Sequence, residues 1–92
     1  MGMRMKYQSN QDVRRAFKAI CEEECNLCNE DWNTLIVMFE TLRVNAAADV
    51  MCVRNCYNGI RAAVYFLMMG DHVTGDQAKA LIALADEIAG VD

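Results

Sequence analysis

The sequence predicts an all-α fold: a small bundle of three to four helices with a long or kinked central helix, in an antiparallel hairpin arrangement. Three observations lead there. The 92-residue chain holds no proline and only five glycines, one at position 2 and the rest from position 59 onward, so little punctuates its first two thirds. Apolar residues, 54% of the chain, recur at intervals of three and four, the period of a helix with one buried face. Capping signatures stand where those periodic runs begin.

The first helix is expected to start at Ser9. Ser9 through Asp12 form a capping-box-like start, in which the serine oxygen accepts a backbone N–H and Asp12 reaches back. Val13, Phe17, Ile20, Cys21 and Leu27, with Ala16, then mark one face, and the helix is expected to stop near Cys28–Asn29. Residues 1–8 are expected to be a flexible lead-in.

Asn29 is the expected N-cap of a second helix, with Glu30 and Asp31 suiting its positive end. Trp32, Leu35, Phe39, Leu42 and Ala46 form a heptad-like seam. The run Leu35 to Phe39 also has the composition of a buried strand. Its flanks carry no turn residues, however, and no second strand is on offer to pair with it.

A further seam runs through Ala46, Val50, Val53, Tyr57, Ile60, Val64 and Leu67. Asp49 stands where the earlier seam would place an apolar residue, so the stripe rotates between Ala46 and Val50. Either one helix of about 40 residues, roughly 60 Å long, kinks there, or a new helix begins near Asn45 after a tight break; a break or kink is expected. The same stretch carries an adjacent seam of small residues, Cys52, Cys56, Gly59 and Ala63, ending in Phe66. Only Arg54, Asn58 and Arg61, with Asn55 beside them, remain as a polar stripe. A helix apolar over most of its girth must be covered on two sides. Val53, Tyr57, Ile60, Val64 and Leu67 are therefore the candidate self-association residues, and Met68–Met69 beside Phe66 a candidate interface edge.

Gly70 to Val73 read as a turn. Thr74 and Gln77 form a second capping box, Ala78, Leu81, Ala85 and Ile88 line a last buried face, and Gly90 is placed to end that helix. The whole chain, residues 1–92, is read as one domain. A chain this short buries roughly 60–65% of the surface its unfolded form exposes.

Charge and composition narrow the function classes. Residues 1–18 carry a net +4 (Arg4, Lys6, Arg14, Arg15 and Lys18 against Asp12) and the remainder a net −8. A net charge of −4 and a pI near 4.8 argue against a duplex-DNA binder. The basic segment can contact a phosphate or an acidic partner, or simply face water and pair with Glu22, Glu23 and Glu24. The longest apolar run, Ala62 to Met69, is eight residues, against about 20 for a membrane span. The first ten residues show no apolar signal segment, and Lys6 stands where a myristoylation signal needs Ser or Thr. A cytoplasmic protein without membrane association is expected.

Chemistry-bearing residues are few. Cys21, Cys25, Cys28, Cys52 and Cys56 have intervals suited to a thiolate metal or iron–sulfur site, an alternative reading; the same intervals arise when cysteine serves as a small apolar residue on helices. Cys21/Cys25 and Cys52/Cys56 resemble, at those four positions alone, the twin Cys-x3-Cys pairs of small intermembrane-space chaperones, which would imply a disulfide-stapled hairpin. The interval between the pairs is wider than in that family, and Cys28 is left over. His72, the one histidine, lies in a turn beside Asp71. No nucleophile–base motif, zinc-protease motif or phosphate loop is found, so no catalytic residue, no enzyme activity and no cofactor are expected.

Arg54, Asn58 and Arg61, with Tyr57 and Tyr65 nearby, are the candidate partner- or ligand-binding face, because guanidinium forks bind carboxylate or phosphate and tyrosine stacks on bases. The alternative is a stripe that pairs with Glu30, Asp31, Asp86 or Glu87. The reading that follows is a non-catalytic, self-associating helical protein, a dimer or higher homo-oligomer, that occludes or sequesters a protein partner. Its size, acidity and lack of catalytic motifs resemble the profile of small inhibitors encoded by phages and mobile elements. A further alternative is an oligomer that sequesters an anionic small ligand such as a nucleotide.

Overall fold

A computed structural model describes residues 7–21, 27–48 and 50–90, with the side chains of residues 50–52 outside that description. Four helices follow one another: α1 (Asn10–Cys21), α2 (Asn29–Ala46), α3 (Val50–Met69) and α4 (Gly75–Ala89). Among the described residues there is no strand, and Leu35 to Phe39 lie in mid-helix. No described helix is long and apolar enough to cross a membrane.

Local chemistry sets the helix starts. Ser9 and Asp12 exchange bonds, the Asp12 N–H donating to Ser9 Oγ at 3.3 Å and the Ser9 N–H to Asp12 Oδ2 at 3.2 Å. Thr74 and Gln77 do the same ahead of α4 at 3.0 and 2.9 Å. The start of α2 differs from the expectation in one detail. Asn29 is the first helical residue, and Cys28 is the cap, its sulfur accepting the Asp31 N–H at 3.5 Å.

Two ends also differ. Residues 22–26, through which the first helix was expected to run, lie outside the description, as does Asp49; Leu27 and Cys28 are not helical. The expected interruption of the central helix is present: α2 ends at Ala46, Ala47 and Ala48 form a turn, and α3 starts at Val50. After α3, the left-handed residue is Asp71 (φ 60°) and not its neighbour Gly70, aspartate being among the non-glycine residues that tolerate this region best. Gly90 ends α4 in the same region at φ 71°, where a side chain would be strained.

Consecutive helices run antiparallel. Arg14 meets Glu40 and Arg43 meets Asn10 across α1 and α2; Asn45 meets Cys56, and Met38 lies over Gly59, across α2 and α3; Tyr57 meets Asp86 across α3 and α4. α2 and α4 also touch along one diagonal, and α1 closes against α4. Tyr7 belongs to this body: half-buried against the core, it donates its hydroxyl to Glu87 at 3.3 Å. The rest of the expected flexible lead-in, residues 1–6, lies outside the description.

The core is the predicted set of stripes turned inward. Val13, Phe17 and Cys21 from α1, Leu35, Phe39 and Leu42 from α2, Ile60 and Val64 from α3, and Ala78, Leu81, Ala85 and Ile88 from α4 are all buried. Phe17 anchors it with edge-on contacts to Trp32 and Phe39, ring centroids 5.2 and 5.6 Å apart. Ile36, Val73 and Leu84 join them, off the predicted seams.

Candidate functional site

The functional question turns on which face of α3 its own chain covers. Ile60 and Val64 are fully buried, and Val53, Tyr57 and Leu67 pack against them. The stripe expected to meet a second copy is thus the stripe that α2 and α4 straddle. Apolar surface remains open one step around the helix. Val37 and Val44 on α2, and Tyr65, Phe66 and Met69 on α3, are the large apolar residues left exposed among those described, Phe66 and Met69 at 70% and 69%. None belongs to α1 or α4.

Of these, Val37 and Phe66 border a groove between α2 and α3 made of two hollows that share Met38, while Val44 lines a hollow with Asn10 and Glu40. The first hollow of the groove, 320 Å³, is lined by Val37, Met38, Thr41, Asn55, Cys56 and Gly59. The second, of 230 Å³, runs past Ala63 and Phe66 to Asp31. The small-residue seam of the sequence forms the floor. At Gly59 an added Cβ would meet only Met38 Cε, at 3.7 Å, so the missing side chain is what lets the Met38 methyl lie close over α3 there. Asn45 donates to the half-buried Cys56 sulfur at 3.2 Å and ties the α2–α3 junction together.

The polar stripe occupies the opposite edge of the outer face. Arg54, Asn58 and Arg61 are exposed. The Arg61 guanidinium sits over the Tyr57 ring, 5.7 Å from its centroid, a cation–π arrangement. Its hydrogen bond with Tyr65, and then the field of Tyr57, raise the already high arginine pKa. Tyr57 donates its hydroxyl to Asp86 of α4. That bond, with burial second, lifts the phenol above its ordinary value near 10. Among the expected carboxylate partners of this face, Asp86 is therefore engaged through Tyr57.

The basic segment builds a second concavity, 350 Å³, from Gln11, Arg14, Arg15, Lys18 and Trp32. Arg14 pairs with Glu40 at 2.6 Å and Arg15 with Asp12 at 3.7 Å, so two of its three cations already face carboxylates. The Glu40 hydrogen bond, ahead of its charge, raises Arg14 further. Glu22 to Glu24, the expected partners, lie outside the description.

The cysteines are placed separately: Cys21 in the core, Cys28 exposed at the α2 cap and Cys56 in the groove floor. Among the described residues, no three His, Cys, Asp or Glu side chains gather as a metal site would require. Cys25 and the Cys52 side chain, two members of the alternative ligand set, lie outside the description. His72 lies in the α3–α4 turn, its ring 2.9 Å from where a Cβ on Gly70 would stand, and its N–H returns to Leu67 O at 2.9 Å. No family model, curated protein or solved structure matches this chain.

Proposed function

We propose that this chain is a non-catalytic, self-associating helical binding protein of the cytoplasm that acts by occluding or sequestering a protein partner. The observation that carries the proposal is that, among the described residues, the large apolar side chains left exposed all lie on α2 and α3. Val37 and Phe66 line hollows between α2 and α3, Val44, Tyr65 and Met69 are exposed on the same two helices, and the hollow from Val37 to Gly59 has an uncharged lining. Single exposed apolar residues are ordinary, but a contiguous set on one layer marks a contact surface. Arg54, Asn58 and Arg61 border it, as the polar rim of an interface does.

Contact through this layer leaves the core intact, because Ile60 and Val64 stay where they are. Arg54 and Arg61 then supply the charged groups that select an acidic partner or an anionic ligand. Light scattering on the purified chain at high micromolar concentration tests the proposal. A dimer or larger assembly is expected, with Phe66→Asp shifting it to monomer at unchanged helix content; a wild-type monomer contradicts it.

A further inference from the structure

We infer that the concavity between α1 and Trp32 is a binding site for a nucleoside phosphate. Arg15 and Lys18, with Arg14 beside them, hold the phosphate, and the base lies against the indole. The inference is independent of self-association, since it uses neither α3 nor the hollows beside it.

Helix geometry gathers the cations. Gln11, Arg14, Arg15 and Lys18 stand at intervals of three, one and three, which places them on one face of α1 over roughly 10 Å of its length. All four are exposed, away from the face that buries Val13 and Phe17. With Trp32 of α2 they enclose 350 Å³, and the lining holds no carboxylate. That volume lies at the small end of the range of ligand pockets, about 300–1,000 Å³.

The neighbouring carboxylates leave these cations usable. Glu40 takes the Arg14 Nε at 2.6 Å, and a guanidinium carries its other four N–H donors on the two terminal nitrogens. Asp12 commits Oδ2 to the N–H groups of Gln8 and Ser9 at 3.0 and 3.2 Å. Its other oxygen lies 3.7 Å from Arg15, whose side chain is 76% exposed. Among the described residues Lys18 has no carboxylate partner. A phosphate monoester brings about two negative charges and three acceptor oxygens, which a guanidinium and an ammonium one turn apart can share. In a chain of net −4 this face favours a small anion, because a long polyanion would also meet the negative remainder.

Trp32 adds the preference for a ring. It is half-buried, and Phe17 meets it edge-on with centroids 5.2 Å apart, which holds the indole from the core side. A fixed aromatic wall beside cations is the arrangement that stacks a base while its phosphate is paired. An acidic peptide would engage the same cations and bring no base to the indole.

Trp32 is the only tryptophan, so its fluorescence reports the site directly. Titration with AMP is expected to quench it saturably, with calorimetry reading the same affinity. Arg15→Ala and Lys18→Ala are each expected to weaken binding roughly tenfold, the worth of one charged hydrogen bond, with helix content unchanged by circular dichroism. Lys79→Ala, which removes an exposed cation of α4, is expected to leave the affinity as it is. Ribose 5-phosphate, lacking the base, is expected to bind roughly tenfold more weakly by calorimetry. AMP that neither quenches Trp32 nor releases heat at millimolar concentration overturns the inference. Ribose 5-phosphate binding as tightly as AMP overturns it too, as does a loss in Lys79→Ala equal to that in Lys18→Ala, which would mark diffuse attraction. A hexaglutamate peptide that binds more tightly than AMP overturns it in favour of an acidic protein segment.

Discussion

The inner and outer faces of α3 both carry large apolar side chains, and these meet opposite fates. Ile60 and Val64 are fully buried between α2 and α4, while Phe66 and Met69, two to five residues further on, are largely exposed. Composition alone does not separate these stripes; neighbours do. A bundle of four short helices covers one side of each helix, and whatever apolar surface a helix carries beyond that side is left for another molecule.

Substitution at Ile60 breaks the comparison from inside. Ile60→Ala should destabilise the chain by about 2–5 kcal/mol, as deletion of a fully buried branched side chain does, read from urea unfolding. A cost no greater than that of Phe66→Asp would mean that the two faces are not distinct.

Between the faces stands Tyr57, half-buried and bonded to Asp86. Tyr57→Phe should cost about 1 kcal/mol, the usual worth of one such bond. Its pH dependence has a definite sign. The folded phenol holds its proton above the ordinary pKa, so the contribution is complete below pH ~10 and is lost as pH rises through the folded value. Wild-type stability should therefore fall faster with alkali than that of Tyr57→Phe; parallel curves would count against the Asp86 bond.

The sequence made most of this architecture legible where the signal is local. Both capping boxes join residues three apart, and both are present at Ser9 and Thr74. The rotation of the stripe at Asp49 agrees with the interruption between Ala46 and Val50, where one helix ends and the next begins on a new buried face. Cys28 was missed as a cap because sulfur is a weak acceptor and Asn29 beside it is the commoner choice. Ile36 was missed because it lies off the three–four seam, on a flank of α2 that only tertiary packing buries. The two stripes of α3 were both visible in the sequence. Which one turns inward depends on where α2 and α4 lie, a matter of tertiary placement that no interval along the chain encodes.

Smaller effects sharpen the contrast at its edges. Thr74→Ala should cost about 0.5–2 kcal/mol through loss of the capping box, and α4 should then exchange its first-turn amides faster than α2 does. Phe66→Asp should alter the stability of the dilute, monomeric chain by no more than about 0.5 kcal/mol, as expected of an exposed site, while abolishing association. A larger cost would show that Phe66 is held by its own chain.

The central claim is that the outer face of α3 is surface held for contact with another copy. The most direct measurement is the melting temperature of the wild-type chain over about a hundredfold range of concentration, beside Phe66→Asp. Association predicts a rise of roughly 5 °C or more for the wild type and none for the variant. Melting temperatures that do not move with concentration in either protein would contradict it.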